Sequence, residues 1–278
     1  MSNRTESKPA NPLASPEPWD LVVEGYDEIN RPFLEQFSRS GLAMLGYGPE
    51  TRVIDIACGP GTTALLLAPQ VRRITCVDFS AGMLDQLRRN ASSAGADNLD
   101  VVQADGQALP VADRGFDLGV SMFGLMFFPD RARGFAELCR VLKPGGQVLV
   151  SSWAPADRSP LIETVFASLR PDDAPTEPRR DLSGLEDPAV FEAEMREAGF
   201  TDINIDAVVH GVKVEDVAQF WDETVRSVAP VTLLKRNSSA EEWTNIERRA
   251  LERLQRMLSN RLPTTLSTTA WIATARRP

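Results

Sequence analysis

Short apolar runs alternate with amphipathic stretches over the first half of the chain, between residues 51 and 153. Runs rich in Val and Ile predict β-strands at 52–57, 73–79, 99–105, 116–124 and 147–153. Apolar residues at helical spacing predict helices at 62–69, 80–92 and 131–143. Strands that alternate with helices form a parallel sheet covered on both faces, and right-handed crossovers bring the carboxyl ends of the strands to one edge. Ligands bind at that edge in such folds.

The pattern is looser on either side of this region. Residues 17–46 predict one or two helices, whereas residues 1–16 are polar and rich in Pro and Ser and predict a disordered tail. Beyond Trp153 we predict helices at 160–169 and 188–200 and strands at 200–214 and 265–277. Two more helices, at 215–228 and 239–260, separate the last two strands, and we interpret them as a cap over the pocket.

Composition narrows the class of protein. The chain has 278 residues, of which 42% are hydrophobic, so it can bury a full core. No apolar run approaches the roughly 18 residues of a membrane-spanning helix, and the N-terminus lacks the apolar core of a secretory signal. The net charge of −9 and the scattered arginines disfavour nucleic acid and membranes as partners. We expect a cytoplasmic protein that acts on a small molecule, and both a monomer and a homodimer remain open.

The three cysteines do not predict a metal site. Cys58, Cys76 and Cys139 are odd in number and lack the spacing of metal ligands. Two of them lie in apolar strand contexts and the third lies in a helical pattern, as is typical of buried, reduced thiols. We therefore predict no bound metal.

The most informative stretch is VIDIACGPGTTA at 53–64. Asp55 lies on the first predicted strand, and Gly59 and Gly61 form the turn into the next helix. Glycines let a ligand approach the backbone closely because no Cβ intervenes, and the helix beyond offers free N–H groups. The turn alone is not specific, since together with Ala64 it also satisfies the dinucleotide fingerprint G-x-G-x-x-A.

Two further carboxylates follow the second and third predicted strands. Asp78 can accept both hydroxyls of a ribose, and Asp105 can accept an adenine amino group. The alternative is that both residues only cap helices or turns. Together with Asp55 they place three carboxylates at neighbouring strand ends. These match the ammonium, diol and amino groups of a sulfonium amino acid joined to adenosine.

Residues 47–153 resemble the class I S-adenosylmethionine-dependent methyltransferases, in particular the small-molecule group similar to the ubiquinone/menaquinone-pathway C-methyltransferases. The resemblance rests on the glycine turn, on Asp78 and Asp105, and on FAELCRVLKPGGQVLVSSW at 135–153. It implies a Rossmann-like α/β fold, with a seven-stranded, mostly parallel sheet, helices on both faces, an antiparallel last strand and a helical cap. The domains would be lid helices at 17–46, a cofactor-binding core at 47–153, and completion of the sheet at 154–278 with a cap at about 215–262.

The resemblance also implies roles for individual residues, with S-adenosylmethionine as the cofactor. Asp55, Gly59 and Gly61 would surround its methionine part, and Asp78 would bind the ribose. The residues beside the adenine would be Phe79, Met83, Ala104, Asp105 and Gly106. Met122 and Phe123 would line the face where the methyl group is transferred, and Ala57 would complete the cofactor site.

The side of the methyl acceptor is less well defined. Aromatic residues from the N-terminal helices, the strand ends and the cap predict a pocket for a flat or apolar acceptor or for a cationic amine: Trp19, Tyr26, Phe33, Phe123, Phe127, Trp153 and Trp221. The alternative is ordinary packing. A general base is needed only if the acceptor loses a proton. The candidates are Tyr26, the acidic residues Glu24 and Asp27, and His210, which can equally be structural.

The predicted function is transfer of a methyl group from S-adenosylmethionine to a small molecule. It would proceed by in-line O-, N- or C-methylation in natural-product or cofactor tailoring. Two alternatives remain at this stage. One is a non-catalytic regulator that binds S-adenosylmethionine. The other is an NAD(P)-dependent oxidoreductase, which the glycine fingerprint favours and the lack of a Tyr-Lys pair or catalytic histidine disfavours.

Overall fold

The computed structural model describes residues 11–171 and 184–278 of the chain. Seven strands form one sheet in the order β3-β2-β1-β4-β5-β7-β6. They are β1 Arg52–Ile56, β2 Arg73–Asp78, β3 Leu99–Gln103, β4 Phe116–Ser121, β5 Leu142–Trp153, β6 Thr201–Val214 and β7 Thr264–Arg276. Strands β1 to β5 pair in parallel, and β7 is antiparallel to both β5 and β6. The predicted mostly parallel, seven-stranded sheet with an antiparallel last strand is confirmed.

Helices cover both faces of the sheet. Within the described residues they are α1 Glu17–Gly25, α2 Arg31–Leu42, α3 Thr62–Leu67, α4 Ala81–Ala94, α5 Arg131–Val141, α6 Pro160–Leu169, α7 Pro188–Glu197, α8 Val217–Ser227, α9 Ala229–Asn237 and α10 Ala240–Leu258. A π-helical turn, Tyr26–Asn30, joins α1 to α2. None of these helices is long and apolar enough to cross a membrane. The strand order reverses between β1 and β4, and this opens a crevice at their carboxyl ends.

Two helix starts beside the crevice show how the local sequence acts. Ser80 caps the start of helix α4, and its hydroxyl accepts the backbone N–H of Met83 at 3.0 Å. The helix runs to Ala94, beyond the predicted end at 92, and stops at Gly95 in the left-handed region. Helix α3 is shorter than the predicted 62–69, since it ends at Leu67, and the residue before it, Gly61, offers no side-chain cap.

Three further features depart from the predicted elements. Helix α9, between the two predicted cap helices, was not predicted; Pro230 lies in its first turn, where proline is well tolerated. Strand β5 already begins at Leu142, so the sequence Pro144-Gly145-Gly146 lies inside an irregular strand start. The predicted tail falls partly on residues 1–10, which lie outside the described residues. Residues 11–16 fold instead, with Leu13 buried and its carbonyl accepting the Trp19 indole N–H at 2.9 Å.

Three hydrophobic cores of the described residues support the crevice, and the smallest of them includes Leu13, Val22 and Met83 and packs against Trp19, Tyr26 and Phe127. The largest core lies between the sheet and its covering helices and includes Ile54, Leu87, Leu118 and Phe135. A second core joins α6, α8 and α10 with the start of β7. The predicted cap helices therefore have a core of their own, which fixes them beside the sheet.

Candidate functional site

A cavity opens at the carboxyl ends of β1 to β4. Nine residues predicted to bind the cofactor line it: Ala57, Gly59, Asp78, Phe79, Met83, Ala104, Asp105, Gly106 and Met122. Four residues predicted to face the acceptor line it as well: Trp19, Tyr26, Phe123 and Phe127. The fold thus brings residues from both predicted sets, which are far apart in the sequence, around one space.

Asp78 lies at the centre of one wall. Its Oδ2 accepts the backbone N–H of Gly59 and its Oδ1 accepts the backbone N–H of Ser80, each at 2.9 Å. Burial raises the pKa of Asp78 to about 6, although these N–H groups favour the carboxylate; the charge of Asp20 adds to the increase. Each oxygen of a carboxylate can accept more than one hydrogen bond, so Asp78 keeps acceptor capacity toward the cavity.

The two glycines of the turn have different surroundings. Gly59 has φ +54°, and a Cβ built on it would meet no atom within 4 Å, so its position opens into free space. Gly61 has φ +91°, and its Cβ would lie 2.2 Å from Leu87 Cδ1. Gly59 therefore keeps the wall of the cavity open, whereas Gly61 allows α3 to pack closely on α4.

Asp55 lies behind this wall and does not line the cavity. Its carboxylate accepts a hydrogen bond from the Ala64 backbone N–H, and its buried Oδ2 has no partner among the described residues. Burial, followed by the nearby charge of Asp78, raises the pKa of Asp55 to about 8. A buried carboxyl oxygen without a partner is costly in a folded protein, and the neutral, protonated form that the raised pKa favours lowers this cost.

Asp105 is an exposed carboxylate at the opposite end of the cavity. Its Oδ1 accepts the backbone N–H of Gln107 at 2.8 Å and the Gln107 side-chain amide at 3.0 Å. The capping role considered for Asp105 is thus present in the structure. Gln107 also lines the cavity and was not predicted, since no pattern distinguished it from an ordinary loop residue.

The aromatic end of the cavity is formed by the N-terminal segment and the loop after β4. The Trp19 ring lies 6.2 Å from the Tyr26 ring and 5.3 Å from the Phe127 ring, measured between centroids. Leu13 and Ala14 extend this wall. These two residues were missed because the segment was predicted to be disordered; the apolar Leu13 within a polar stretch was the one signal available.

The remaining aromatic candidates lie behind the wall or far from it. Trp153 stacks on Phe123 with centroids 4.0 Å apart, and Phe33 reaches them only through Phe37. Trp221 is stacked against Trp243 in the core of the cap, and its indole N–H donates to Glu247 Oε1 at 3.1 Å. Phe33, Trp153 and Trp221 therefore pack around the site without lining this cavity.

Two cavity residues have an unusual backbone. Ala57 has φ +54° and Phe123 has φ +58°, a left-handed conformation that non-glycine residues adopt rarely. The loop that carries Phe123 packs against Ala57, because a Cβ built on the adjacent Gly124 would lie 2.3 Å from the Ala57 Cβ. Such strain is frequent at functional sites, where the surrounding fold must hold it in place.

The candidate bases have distinct environments. Tyr26 lines the cavity, and burial together with the charge of Asp78 raises its pKa well above the ordinary value, so the phenol keeps its proton. The His210 Nε2 lies 3.0 Å from Ser40 Oγ, and its ring packs against Phe37 outside the cavity lining. Asp27 accepts hydrogen bonds from Arg31, Gln86 and Asn90, and Glu24 is exposed.

Comparisons with known proteins agree with this geometry. The family described as methyltransferase domain matches residues 53–146. A demethylmenaquinone methyltransferase of Mycobacterium sp. (strain KMS) is 34% identical over 164 residues, which cover 57% of this chain and 67% of the relative. The methyltransferase ktnA of Aspergillus niger is 28% identical over 286 residues, covering 90% of this chain and 92% of the relative.

Other matches are shorter. Uncharacterised proteins of Mycobacterium bovis and Mycobacterium tuberculosis are 38% identical over 112 residues, so the match spans only 40% of the length of these relatives. The methyltransferase-domain match over residues 53–146 includes the glycine turn, Asp78 and Asp105.

Solved structures share the whole architecture. A structure described as converting a disulfide bond into a thioacetal group during echinomycin biosynthesis has a TM-score of 0.60, at 18% identity over 94% of this chain and 92% of the other. The [4+2]-cyclase SpnF has a TM-score of 0.55 and 21% identity, and the match covers 88% of this chain and 81% of the cyclase chain. These likenesses concern the fold alone. The 34% identity to the mycobacterial demethylmenaquinone methyltransferase, together with the methyltransferase-domain match, shows that this chain belongs to the class I S-adenosylmethionine-dependent methyltransferases.

Proposed function

We propose that this protein transfers a methyl group from S-adenosylmethionine to a small, apolar or aromatic molecule. The observation that carries the proposal is the continuity of the cavity, which joins the Asp78 and Gly59 wall to the aromatic wall of Trp19, Tyr26 and Phe127. A site for methyl transfer needs these two compartments in contact, because donor and acceptor must meet in line.

The residues of the first compartment fit the cofactor. Asp78 has spare acceptor capacity for a ribose diol, and the open space beside Gly59 lets a ligand lie against the backbone. Asp55 lies behind Gly59 and Gly61, so it would support the turn that surrounds the methionine part without lining the cavity itself. The adenine would lie among Phe79, Met83, Ala104, Asp105 and Gly106, and Met122 would face the reacting end.

When bound, S-adenosylmethionine supplies an activated methyl group on a sulfonium with a good leaving group. The task of the chain is then alignment and exclusion of water, which can contribute on the order of 7–11 kcal/mol. Trp19 and Phe127 would exclude water from the reacting atoms, and Phe123 is held in place by its stacking on Trp153. The strained backbone at Ala57 and Phe123 would keep the two compartments at a fixed distance.

The cavity favours an acceptor that needs no strong base. Its titratable lining residues, within the described part of the chain, are Tyr26, Asp78 and Asp105. The raised pKa keeps Tyr26 protonated, so its hydroxyl would orient the acceptor or cofactor as a hydrogen-bond donor. No Lys or Arg lines the described cavity, which disfavours an anionic acceptor or a nucleic acid. Natural-product or cofactor tailoring fits these features, and the name of the mycobacterial relative, a demethylmenaquinone methyltransferase, supports cofactor tailoring.

Binding and transfer should be tested separately, because one similar solved structure is a [4+2]-cyclase and a fold does not fix an activity. Calorimetry with S-adenosylmethionine and S-adenosylhomocysteine tests the cofactor site. Incubation with methyl-deuterated S-adenosylmethionine and a panel of phenols, quinols and amines, followed by mass spectrometry, tests transfer. We expect tight binding and a labelled product. Absence of binding in folded protein would overturn the cofactor site, and binding without any transfer would support the regulator alternative instead.

A further inference from the structure

Two carboxylates of the N-terminal segment connect it to α4. We define the lid segment as residues 17–42, which comprise α1, the π-helical turn and α2. Asp20 Oδ1 accepts the Ser80 hydroxyl and the backbone N–H of Gly82, the latter at 3.1 Å. Asp27 accepts the side-chain amides of Asn90, at 2.7 Å, and Gln86, at 2.9 Å. Both contacts join residues about 60 positions apart in the sequence.

Each contact continues into a wall of the cavity. Ser80, which Asp20 holds, donates its backbone N–H to Asp78 Oδ1 at 2.9 Å. Asn90, which Asp27 holds, also donates to the carbonyl of Pro60 at 3.0 Å, inside the turn between Gly59 and Gly61. A single residue therefore separates each lid carboxylate from the candidate cofactor site. It is Ser80, the N-cap of α4, for Asp20 and Asn90, within α4, for Asp27.

The packing of α1 makes these contacts sensitive to its position. A Cβ on Gly82 would lie 2.9 Å from Val23 Cγ2 and 3.0 Å from Asp20 Oδ1, so α1 touches the start of α4 directly. On its other side the lid segment meets α8, where Asn30 donates to the Ser227 carbonyl at 2.7 Å. The segment is thus held between the sheet half and the cap, and it carries Trp19 and Tyr26 over the cavity.

We propose that Asp20 and Asp27 are positioning residues that couple docking of the lid segment to the shape of the cofactor site. Asp20 acts through Ser80 on the Asp78 carboxylate, and Asp27 acts through Asn90 on the glycine turn. The inference rests on the proposed function, because it concerns the same cofactor site. Coupling of this kind is reciprocal: a cofactor that binds the docked arrangement better also stabilises docking.

The test measures S-adenosylhomocysteine affinity by calorimetry in the full chain. Asp27→Ala and Asn90→Ala should each weaken binding about tenfold, since each removes a hydrogen bond to a charged group. The double variant should be no weaker than either single variant, because both remove the same connection. Asp20→Ala should weaken binding several-fold. Asp20→Asn keeps an oxygen that can accept from Ser80 and Gly82, and it should retain most of the affinity.

Glu17→Ala is the matched control, because it removes one negative charge from the exposed start of α1 without touching α4. Thermal unfolding of every variant separates positioning from simple stability. A merely structural role would lower the melting temperature and leave the dissociation constant unchanged well below it; that result would overturn the inference while leaving the cofactor site intact. If wild-type protein binds no S-adenosylhomocysteine, both proposals fail together. If the Asp27→Ala variant does not fold, Asp20→Ala still tests the inference, because Asp20 is exposed.

Discussion

The carboxylate of Asp78 accepts the backbone N–H of Gly59 at 2.9 Å, so the end of β2 and the turn after β1 are held as one unit. This contact joins the two sequence features that pointed most directly to a cofactor. Because β1 lies beside β2 on one side and β4 on the other, the unit stands where the sheet order reverses.

Asp78→Asn should weaken binding of S-adenosylhomocysteine at least tenfold. The asparagine keeps one oxygen for the Gly59 N–H but loses an acceptor and the charge. The melting temperature should fall as well, because the amide nitrogen that replaces one oxygen cannot accept the backbone N–H of Ser80. Calorimetry and thermal unfolding measure the two effects, with Asp85→Asn on the exposed face of α4 as the control. Equal affinity in both variants would argue against a role for Asp78 in binding.

Cofactor affinity should fall as the pH drops through about 6. Burial raises the pKa of Asp78 to about 6, so below that pH the protonated form predominates and loses acceptor capacity toward a ribose diol. The dissociation constant of S-adenosylhomocysteine, measured from pH 5 to pH 8, should reach its low plateau above about 7. The acidic limb should disappear in Asp78→Asn; its persistence there would assign it to another group.

Asp55 should make the free protein less stable at higher pH. The pKa of Asp55 is raised from 3.8 to about 8, so the folded state holds a proton that the unfolded chain has lost between these values. The folded state binds more protons in that window, and the free energy of unfolding therefore falls as pH rises through it. Urea unfolding at pH 5 and pH 8 measures the fall. Asp55→Asn should reduce it, and an identical fall in the variant would contradict the assignment.

Gly59→Ala and Gly61→Ala should have different consequences. Both positions have positive φ, which costs an alanine about 1–2 kcal/mol. At Gly61 the new methyl group also clashes with Leu87, so we expect a further loss of about 1–3 kcal/mol of stability. At Gly59 the methyl group would project into the open space that a cofactor would occupy. We therefore expect the dissociation constant of the cofactor to rise, while stability falls only by the cost of the positive φ. Unfolding and calorimetry on both variants distinguish the two roles. A larger loss of stability in Gly59→Ala and a larger loss of cofactor affinity in Gly61→Ala would refute them.

Trp19→Ala and Trp221→Ala form a second contrast. Trp221 is 3% exposed in the core of the cap, so its removal should cost about 3–5 kcal/mol of stability. Trp19 lines the cavity and is only partly buried, so its removal should raise the KM for a turned-over acceptor with a smaller loss of stability. Steady-state kinetics with an acceptor from the phenol, quinol and amine panel would check this. An unchanged KM in Trp19→Ala would remove Trp19 from the acceptor wall.

The acceptor side was harder to predict than the cofactor side, for a physical reason. Asp78 and Gly59 belong to local patterns, a strand followed by a turn, whose geometry is similar wherever they occur. Trp221 and Trp153 are aromatic residues like Trp19, and only their neighbours distinguish them: Trp221 meets Trp243, and Trp153 meets Phe123. Composition gives no information about which partner a buried aromatic ring will find.

The sequence by itself determined the alternation of strands and helices, the glycine turn, and the carboxylates at the strand ends, because these follow from periodicity and residue chemistry within short windows. Tertiary structure alone decided that residues 11–16 fold over the cavity and that Asp27 binds Asn90 instead of facing the acceptor. It also produced the buried, unpartnered oxygen of Asp55. Each of these depends on contacts or burial created by segments far apart in the chain, and such contacts exist only once the sheet, the lid segment and the cap have packed together.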